Sequence, residues 1–287
     1  MLSADEARRL ERLAFGTQAS LHPGAAGYRV TRSRGFGSEF HDFRYYQPGD
    51  DPRTLAWTIS ARLGQMVVRT YRADATLRVH LLIDISASMT PAKLACAKRL
   101  AALLAYVAVC GGDAPGVAAF DDRLRLSIPP AAGRHQLHRI ADTLVAAPAG
   151  GASSISRGLT QFGDAHRGPG LVVILSDFFD PADPWEGLCY LLHRDLTPAI
   201  VQIVSSEELD PVVDEDVELV DLEDSQGALI VGPDAVDGYR ARLDGLTAAL
   251  GHFCRSHGCP WARVQASSTF GELVRACHQA GLLTDRM

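Results

Sequence analysis

The chain has 287 residues, of which 47% are hydrophobic and 22% charged, and this is the composition of an ordinary globular protein with one large domain and room for a smaller appendage. Its formal net charge of −6 includes no single-sign tail, so the overall balance gives no indication of nucleic-acid binding. The charge is uneven, because residues 1–80 hold 12 Arg and 8 Asp or Glu, which leaves a balance of −10 for the remainder.

Three zones follow one another along the chain. Residues 1–30 are predicted to form an N-terminal helix (4–15) and a loop that contains Gly and Pro. Residues 31–75 form a β-rich segment with many Arg and aromatic residues, in which turn chemistry at 48–52 separates predicted strands at 39–46 and 65–71. A short helix is predicted at 53–62 between that turn and the second strand.

From residue 76 to 287 the pattern changes to buried strands that alternate with amphipathic helices. Residues 171–175 are apolar on both faces, which is typical of a central strand in a sheet covered by helices. The alternation predicts an α/β domain with a doubly wound, mostly parallel sheet. The predicted strands are 77–83, 116–120, 124–128, 171–175, 199–204, 218–222 and 228–231, and the predicted helices are 91–110, 134–146, 156–165, 185–194, 235–256 and 270–282.

The cysteines and the apolar runs favour a cytoplasmic location. Six scattered cysteines in a chain of this length indicate reduced thiols rather than a disulfide framework. Residues 1–12 lack the apolar stretch of a signal peptide. The longest apolar run, residues 100–110, is far shorter than the ~20 residues that span a bilayer, so no membrane insertion is expected.

Oxygen-bearing side chains follow two of the predicted central strands. Asp84, Ser86 and Ser88 come directly after residues 77–83, and Asp177 comes after residues 171–175. If these strands are parallel neighbours, the two carboxylates meet at the carboxyl edge of the sheet, where ligands bind in open α/β folds. The glycine-containing loop before the helix at 156 offers Ser153 as a further hydroxyl. Mg²⁺ prefers oxygen ligands of this kind.

Helix capping is the alternative interpretation of the same hydroxyls. Ser88 or Thr90 before Pro91 is a common way to begin a helix, and Ser153 lies just before another predicted helix. Asp177 could equally make a local turn at the end of its strand. Capping explains one hydroxyl per helix, but it does not explain Asp84 and Ser86 together with Asp177 at the matching strand end.

A second group of residues lies in the Arg/aromatic segment. An arginine can pair with Asp50 or Asp51 through two hydrogen bonds, and Trp57 is expected to bury its ring, so a structural clamp is the first interpretation. A partner-binding surface is the second, and nucleic-acid stacking is disfavoured because aromatics are few and the whole domain is acidic. The front segment is expected to face the acidic body of its own chain or an acidic partner. The group consists of Arg44, Tyr46, Asp50, Asp51, Arg53, Trp57 and Arg62.

Other chemistries are weakly indicated. The spacing of His252, Cys254, His257 and Cys259 does not match the usual paired zinc ligands, and the segment also fits the end of a helix. No nucleophile elbow surrounds Ser86 or Ser88, and no glycine-rich loop with a lysine is present to cradle nucleotide phosphates.

The two groups together resemble known families. Asp84-x-Ser86-x-Ser88, the Gly150-Gly151 loop with a hydroxyl residue, and Asp177 resemble the three elements of the metal-ion-dependent adhesion site of von Willebrand factor A-type domains. The upstream segment resembles, in order and spacing, the bacterial domain-of-unknown-function family 58, and the resemblance covers about residues 25–240. The residues that carry it are Glu39-Phe40, Arg44, Tyr46, Gly49-Asp50-Asp51, Arg53, Trp57 and Ala61-Arg62.

Three positions depart from the pattern of these families. Ala56 stands where an acidic residue usually precedes the tryptophan, and Ala152 or Ser153 stands where the adhesion site has threonine. The usual Thr-Asp-Gly is Ser176-Asp177-Phe178. A serine can still supply an oxygen, whereas an alanine cannot.

The resemblance implies a von Willebrand factor A-like, Rossmann-type fold and a non-enzymatic adaptor that works with a MoxR-type AAA+ ATPase on an unknown client protein. It implies Mg²⁺ or Mn²⁺ held by Asp84, Ser86, Ser88, Ser153 and Asp177, partly through water. A metal-dependent phosphoester hydrolase is the competing class, with Asp121 or Asp180 as its base if the fold brings one of them in. A scaffold whose metal site has decayed is the third possibility.

Overall fold

The computed structural model describes residues 4–16, 39–48, 50–72, 76–147, 150–180, 183–211, 217–220, 228–231 and 234–286. The chain divides into two compact units, one formed by residues 1–20 and 77–287 and the other by residues 21–76. The predicted N-terminal zone, residues 1–30, thus contributes its first part to the larger unit.

Helices and strands alternate through most of the larger unit. The helices of the described chain are α1 (Ala4–Leu10), α2 (Trp57–Leu63), α3 (Pro91–Cys110), α4 (His135–Ala146), α5 (Ile155–Ala165), α6 (Trp185–His193), α7 (Ser206–Leu209), α8 (Asp234–His257) and α9 (Phe270–Gln279). The strands are β1 (Leu13–Phe15), β2 (Glu39–Tyr45), β3 (Val67–Arg72), β4 (Arg78–Asp84), β5 (Ala114–Phe120), β6 (Leu124–Ile128), β7 (Gly170–Ser176), β8 (Leu196–Val204), β9 (Val217–Val220), β10 (Ala228–Val231), β11 (Trp261–Gln265) and β12 (Leu283–Asp285).

The main sheet has the order β11-β8-β7-β4-β5-β6 within the described residues. All neighbouring pairs are parallel except β5 and β6, which are antiparallel. The prediction of a mostly parallel sheet in an α/β fold is therefore confirmed. After β4 the chain passes to β5 on one side, and β7 later returns to the other side. The boundary between β4 and β7 is consequently a point where strand order reverses, and such points are where ligands bind in open α/β sheets.

Helices cover the sheet on both faces, which explains why the central strands carry apolar residues that point to either side. Along β4, Leu81 and Ile83 belong to one hydrophobic core, together with buried residues of α3 and α9. Leu82, which points the other way, belongs to a second core with buried residues of α5 and α6. Since successive side chains of a strand face opposite sides, a strand buried on both faces needs apolar residues at every position.

Several elements differ from the predictions because their partners are distant in sequence. The predicted helix 4–15 ends at Leu10, and β1 then pairs antiparallel with β12 at the other end of the chain. The predicted strands 218–222 and 228–231 correspond to β9 and β10, which pair with each other in a separate sheet. The short strand β11 had no prediction, and it forms an edge of the main sheet beside β8.

The smaller unit has an antiparallel pair, β2 and β3, with α2 between them in sequence. A bulge interrupts the pairing between Phe40 and Asp42. Backbone bonds tie the start of α2 to β3, because Ala56 donates its N–H to the carbonyl of Val67 at 2.8 Å. Leu55, Val67 and Val68 are buried at this junction.

None of the helices in the described part of the chain combines the length and the apolarity that crossing a membrane requires.

Candidate metal centre

The two predicted carboxylates lie at the same edge of the sheet. Strands β4 and β7 are parallel neighbours, with Ile83 opposite Leu175, so Asp84, the last residue of β4, and Asp177, which directly follows β7, lie at the same edge. Both side chains are fully buried. The condition on which the site prediction depended, that these strands are adjacent and parallel, is met.

The Asp84 carboxylate is held by two hydrogen-bond donors. Its Oδ1 accepts from the backbone N–H of Ser86 at 2.9 Å, and its Oδ2 accepts from the hydroxyl of Ser176 at 2.6 Å. Burial, and next the charge of Asp177, raise the pKa of Asp84 to about 7, although the bonds from Ser176 and Ser86 act in the opposite direction. Within the described residues, no cationic side chain forms an ion pair with Asp84.

The serine hydroxyls connect the two carboxylates. Ser86 Oγ and Ser88 Oγ are 3.0 Å apart, and the Ser88 hydroxyl donates to Asp177 Oδ1 at 3.3 Å. Asp84, Ser86, Ser88 and Asp177 therefore form one hydrogen-bonded cluster. Thr90, the residue at the N-cap of α3, makes no side-chain capping bond, so capping of α3 does not account for these hydroxyls.

The loop that contains Ser153 is attached to the same edge. Gly150 donates its N–H to the carbonyl of Ile85, and the carbonyl of Gly151 accepts from the N–H of Ala87, both at 2.9 Å. Gly151 has a φ of +130°, and a Cβ atom there would lie 2.6 Å from Asp121 Oδ2. Ser153 is half-buried two residues further on. Backbone bonds thus attach the loop that contains Ser153 to the residues directly after Asp84.

Lys93 and Glu208 belong to the same cluster, and the sequence interpretation missed both of them. The Nζ of Lys93 donates to Asp177 Oδ2 at 2.6 Å and to Glu208 Oε1 at 2.5 Å. The Lys93 side chain is only 1% exposed although it lies in the first turn of α3. The sequence does contain one indication of this cluster. Lys93 directly precedes Leu94 on the core-facing side of a predicted helix, and a charge that is buried there requires a partner of opposite charge.

Glu208 is positioned by the turn that follows β8. It occupies the third position of α7, where its Oε2 accepts from the backbone N–H of Ser205 at 2.7 Å. The Ser205 hydroxyl in turn accepts from the N–H of Glu208, which completes a capping box. The second carboxylate oxygen of Glu208 is thereby directed to Lys93.

Phe178 has an unusual backbone conformation directly after Asp177. Its φ is +62°, a left-handed value that is costly for a residue with a side chain. The Phe178 N–H donates to Ser176 Oγ and the Phe179 N–H donates to Asp177 Oδ1, which holds the turn in place. Glycine is the residue that the family resemblance leads one to expect at this position, and it would adopt this conformation without strain.

Asp121 and Asp180, the candidate bases of the hydrolase interpretation, already have strong partners. Both oxygens of Asp121 accept from Arg125 Nε, at 2.7 and 2.6 Å. Burial raises the pKa of Asp121, but the hydrogen bonds that it accepts and the charge of Arg125 outweigh burial, so the net shift is downward. Asp180 Oδ2 accepts from the N–H of Ile155 at the start of α5, at 2.5 Å.

The Arg/aromatic segment of the smaller unit contains one clear clamp. Arg44 donates two hydrogen bonds to Asp50, at 2.8 and 2.6 Å, and Asp51 accepts from the N–H of Arg53 at the start of a 3-10 turn. The prediction that Trp57 buries its ring is wrong, because the residue is 69% exposed. Tyr46 is half-buried, and Arg53 and Arg62 are exposed.

The zinc interpretation has no support in the part of the chain that the structure covers. No group of three or more His, Cys, Asp or Glu side chains suited to a metal occurs among those residues. Burial raises the pKa of Cys254 and of Cys259 to about 12. Any cation at the sheet edge would therefore rely on two carboxylates supplemented by hydroxyls.

The donor set at the sheet edge fits Mg²⁺ or Mn²⁺ in chemistry and in charge. Its potential ligands are hard oxygens, which these ions prefer. Lys93 pairs with Asp177 and Glu208, and Asp84 adds a third carboxyl, so the cluster carries an excess of negative charge when its carboxylates are ionised. The raised pKa of Asp84 is the expected property of a buried carboxyl without a positive partner.

Comparisons with known proteins give a family. The sequence profile of DUF58, a family of proteins of unknown function, matches residues 42–241. Uncharacterised proteins of Mycobacterium bovis and Mycobacterium tuberculosis are 32% identical over 198 residues. The match covers 66% of this chain and 60% of those relatives, so the chain spans less than two thirds of their length.

Two solved structures show a distant likeness. BatB from Bacteroides thetaiotaomicron has a TM-score of 0.45 and 14% identity, over 71% of this chain and 98% of that chain. An aerotolerance-related membrane protein from Bacteroides fragilis has a TM-score of 0.44 and 14% identity, over 71% and 99%. Values of this size bring no function to the present chain.

Proposed function

This chain belongs to the DUF58 family of proteins of unknown function, and we propose that it is a non-enzymatic protein-binding module that docks a partner at the carboxyl edge of its main sheet. The observation that carries the proposal is the hydrogen-bonded cluster of Asp84, Ser86, Ser88 and Asp177 at the point where strand order reverses. A buried carboxyl that forms no ion pair, as Asp84 does in the described residues, is energetically costly, so its position at a ligand-binding edge favours a binding role.

In this proposal the chain's own side chains prepare a cation site. Ser176 and the Ser86 N–H orient Asp84, while the Phe179 N–H and Ser88 orient Asp177. Ser86, Ser88 and Ser153 offer hydroxyl oxygens between and beside them. When bound, Mg²⁺ or Mn²⁺ would supply a coordination position that a carboxylate of a partner protein can occupy.

The finer assignments rest on the sequence resemblance. The strand order and the residues at the sheet edge are compatible with a von Willebrand factor A-like domain, and the Arg/Trp segment resembles proteins associated with MoxR-type AAA+ ATPases. We propose such an ATPase as the partner or co-worker, with the module linking ATP-driven remodelling to a client protein of unknown identity.

The hydrolase alternative is less well supported than the adaptor. A hydrolase needs a base near the cation, and Asp121 and Asp180 are engaged with Arg125 and with the start of α5. The scaffold without metal has one observation in its favour, because the Lys93 ammonium already neutralises part of the charge on Asp177.

Calorimetry with Mg²⁺ and Mn²⁺ tests the metal part of the proposal. Saturable binding is expected for the wild type, with loss in Asp84→Asn and no change in Asp142→Asn, an exposed carboxylate on α4 that serves as the matched control. If the wild type shows no saturable binding near millimolar metal, the proposed cation site is contradicted.

Co-purification with a MoxR-type ATPase tests the partnership. The expected result is that Asp177→Asn reduces retention of the ATPase and that Asp142→Asn does not. Equal retention by the wild type and Asp177→Asn would show that the sheet edge is not the contact.

A further inference from the structure

We propose that Lys93 is a built-in counter-cation of this site, which competes with a divalent cation for Asp177 and transfers to Glu208 when that cation binds. The inference rests on the proposed function, and it assigns roles at that site to Lys93 and Glu208. Its basis is the geometry of the ammonium between two carboxylates.

Lys93 is shared between two acceptors of different character. Its Nζ is 2.6 Å from Asp177 Oδ2 and 2.5 Å from Glu208 Oε1. The Asp177 side chain is fully buried at the floor of the site, whereas Glu208 is 20% exposed at the start of α7. A third attraction comes from the ring of Phe179, whose centroid is 5.4 Å from the ammonium.

A buried lysine cannot remain charged without partners, and this constrains where Lys93 can go. Losing one carboxylate is tolerable as long as the other stays in contact, because an isolated buried charge is strongly unfavourable. Glu208 therefore keeps the ammonium ion-paired when a divalent cation binds Asp177. If Asp177 were its sole carboxylate partner, the lysine would either have to leave the site when the cation binds or prevent the cation from binding.

Competition follows from the atoms that Asp177 has available. Oδ1 already accepts from the Phe179 N–H at 3.0 Å and from the Ser88 hydroxyl at 3.3 Å, and Oδ2 accepts from Lys93. A divalent cation that draws on Asp177 must approach an ammonium of like charge, in a buried place where such repulsion is weakly screened. Cation binding and the Lys93–Asp177 bond are consequently opposed.

Glu208 is anchored well enough to accept the ammonium. Its other oxygen, Oε2, is fixed by the N–H of Ser205 in the capping box, so Oε1 keeps its position when Lys93 moves toward it. Ser205 directly follows β8, which pairs with β7, the strand that leads to Asp177. The two acceptors therefore lie in the segments that directly follow two adjacent strands of the main sheet.

The sequence provides a direct probe, because Lys93 and Lys98 are its only lysines. Protein labelled with ¹³C at lysine Cε should give two signals, and Lys98→Met assigns them. Lys98 lies on the same helix and donates to the carbonyl of Ala147 at 3.1 Å, away from the cluster, which makes it an internal control. We expect Mg²⁺ to shift the Lys93 signal and to leave the Lys98 signal in place. If calorimetry shows Mg²⁺ bound while the Lys93 signal does not move, the inference is overturned and the proposed cation site stands.

Affinities of a mutant cycle for Mg²⁺ test the competition itself. Lys93→Met should tighten binding by about tenfold or more, since close charge pairs are coupled by at least that factor. Glu208→Gln should weaken binding several-fold, because the ammonium then has Asp177 as its sole carboxylate. The double variant should match Lys93→Met, since Glu208 acts through the lysine. A double variant that is weaker than Lys93→Met by the full Glu208→Gln effect would show that Glu208 acts by its charge alone.

Comparing Mg²⁺ binding by the wild type and by Lys93→Met distinguishes a failure of the proposed competition from a failure of the proposed cation site. Equal affinities in the wild type and a folded Lys93→Met variant, checked by circular dichroism, overturn the competition while metal binding stands. Binding by Lys93→Met but not by the wild type supports the competition for Asp177, but it contradicts both a native cation site and the transfer of Lys93 to Glu208. Absence of binding in both proteins contradicts the cation site and the inference together.

Discussion

The hydroxyl of Ser176 donates a 2.6 Å hydrogen bond to Oδ2 of Asp84, which joins the ends of two neighbouring parallel strands through their side chains. Both residues are buried, and Asp84 shares this edge of the sheet with Asp177. The bond therefore serves as a support for the candidate site rather than as a ligand interaction.

Replacing Ser176 with Ala should destabilise the protein by about 1.5–3 kcal/mol, because a buried hydrogen bond to a charged group is lost. Urea unfolding measures this change in the free energy of unfolding. Ser256→Ala is the control, since the Ser256 hydroxyl is exposed and donates to its own helix at His252, and its change should stay within about 0.5 kcal/mol. Equal effects of the two substitutions would contradict a supporting role for Ser176.

The raised pKa of Asp84 predicts a loss of stability with rising pH in metal-free protein. Burial and the charge of Asp177 bring this pKa to about 7 in the folded state, above the ordinary value of 3.8 for an aspartate. Between these values the folded state holds the proton more tightly, so the free energy of unfolding falls by up to about 1.4 kcal/mol per pH unit as pH rises. Asp84→Asn should remove this slope in urea titrations with a chelator present. An unchanged slope in the variant would assign it to other groups.

His80 predicts a dependence of the opposite sign at lower pH. Burial, followed by the charges of His166 and Arg78, lowers the pKa of His80 to about 3, below the ordinary value of 6.5 for a histidine. The unfolded state therefore binds the proton more readily, and stability falls as pH decreases from about 6.5 toward 3, by up to about 1.4 kcal/mol per pH unit.

His80→Phe tests this dependence, because a phenyl ring can keep the edge contact that His80 makes with Phe162, with ring centroids 5.2 Å apart. The variant should lose the acid sensitivity between pH 6 and about 4 that the histidine causes. His252→Gln replaces an exposed histidine of α8 and should leave the profile unchanged. A variant profile that still follows the wild type would rule out His80 as the source.

Gly151 is predicted to tolerate no side chain. Its φ of +130° is strained for other residues, and a Cβ atom would lie 2.6 Å from Asp121 Oδ2. Gly151→Ala should cost more than about 1–2 kcal/mol, the usual penalty for left-handed backbone, because the clash adds to it. Gly238→Ala in α8 is the matched control with open space around it, and it should stabilise the protein by up to about 1 kcal/mol. Thermal unfolding distinguishes the two, and equal midpoints would contradict the close approach to Asp121.

Trp57 is predicted to contribute little to the stability of the smaller unit. Its ring is largely exposed, so Trp57→Ala should change the free energy of unfolding by less than about 0.5 kcal/mol. Leu55, two residues earlier, is buried, and Leu55→Ala should cost about 2 kcal/mol or more. A denaturant titration in which hydrogen exchange of residues 55–68 is the readout measures the free energy of unfolding of this unit. A loss for Trp57→Ala as large as that for Leu55→Ala would restore the clamp interpretation of the tryptophan.

Local patterns in the sequence were sufficient for the α/β class and for half of the candidate site. The centres of β4 and β7, residues 81–83 and 171–175, are apolar at every position because both faces are buried, and this property is visible without any knowledge of neighbours. Asp84, Ser86 and Ser88 are separated by single residues just after a strand, so they reach one point through local geometry alone. The same reasoning failed for Trp57, because an aromatic side chain carries no local signal that tells an exposed position from a buried one.

The tertiary structure alone decided which charges meet. Lys93 and Glu208 are separated by 115 positions, and they meet because α3 and the turn after β8 both reach the edge where Asp177 lies. The pairing of β1 with β12 likewise joins the two ends of the chain. The sequence by itself determined the oxygen donors and the strands that carry them, since both depend on short-range spacing. It could not determine that an ammonium would sit among those donors, because that contact depends on strand order and helix placement over the whole domain.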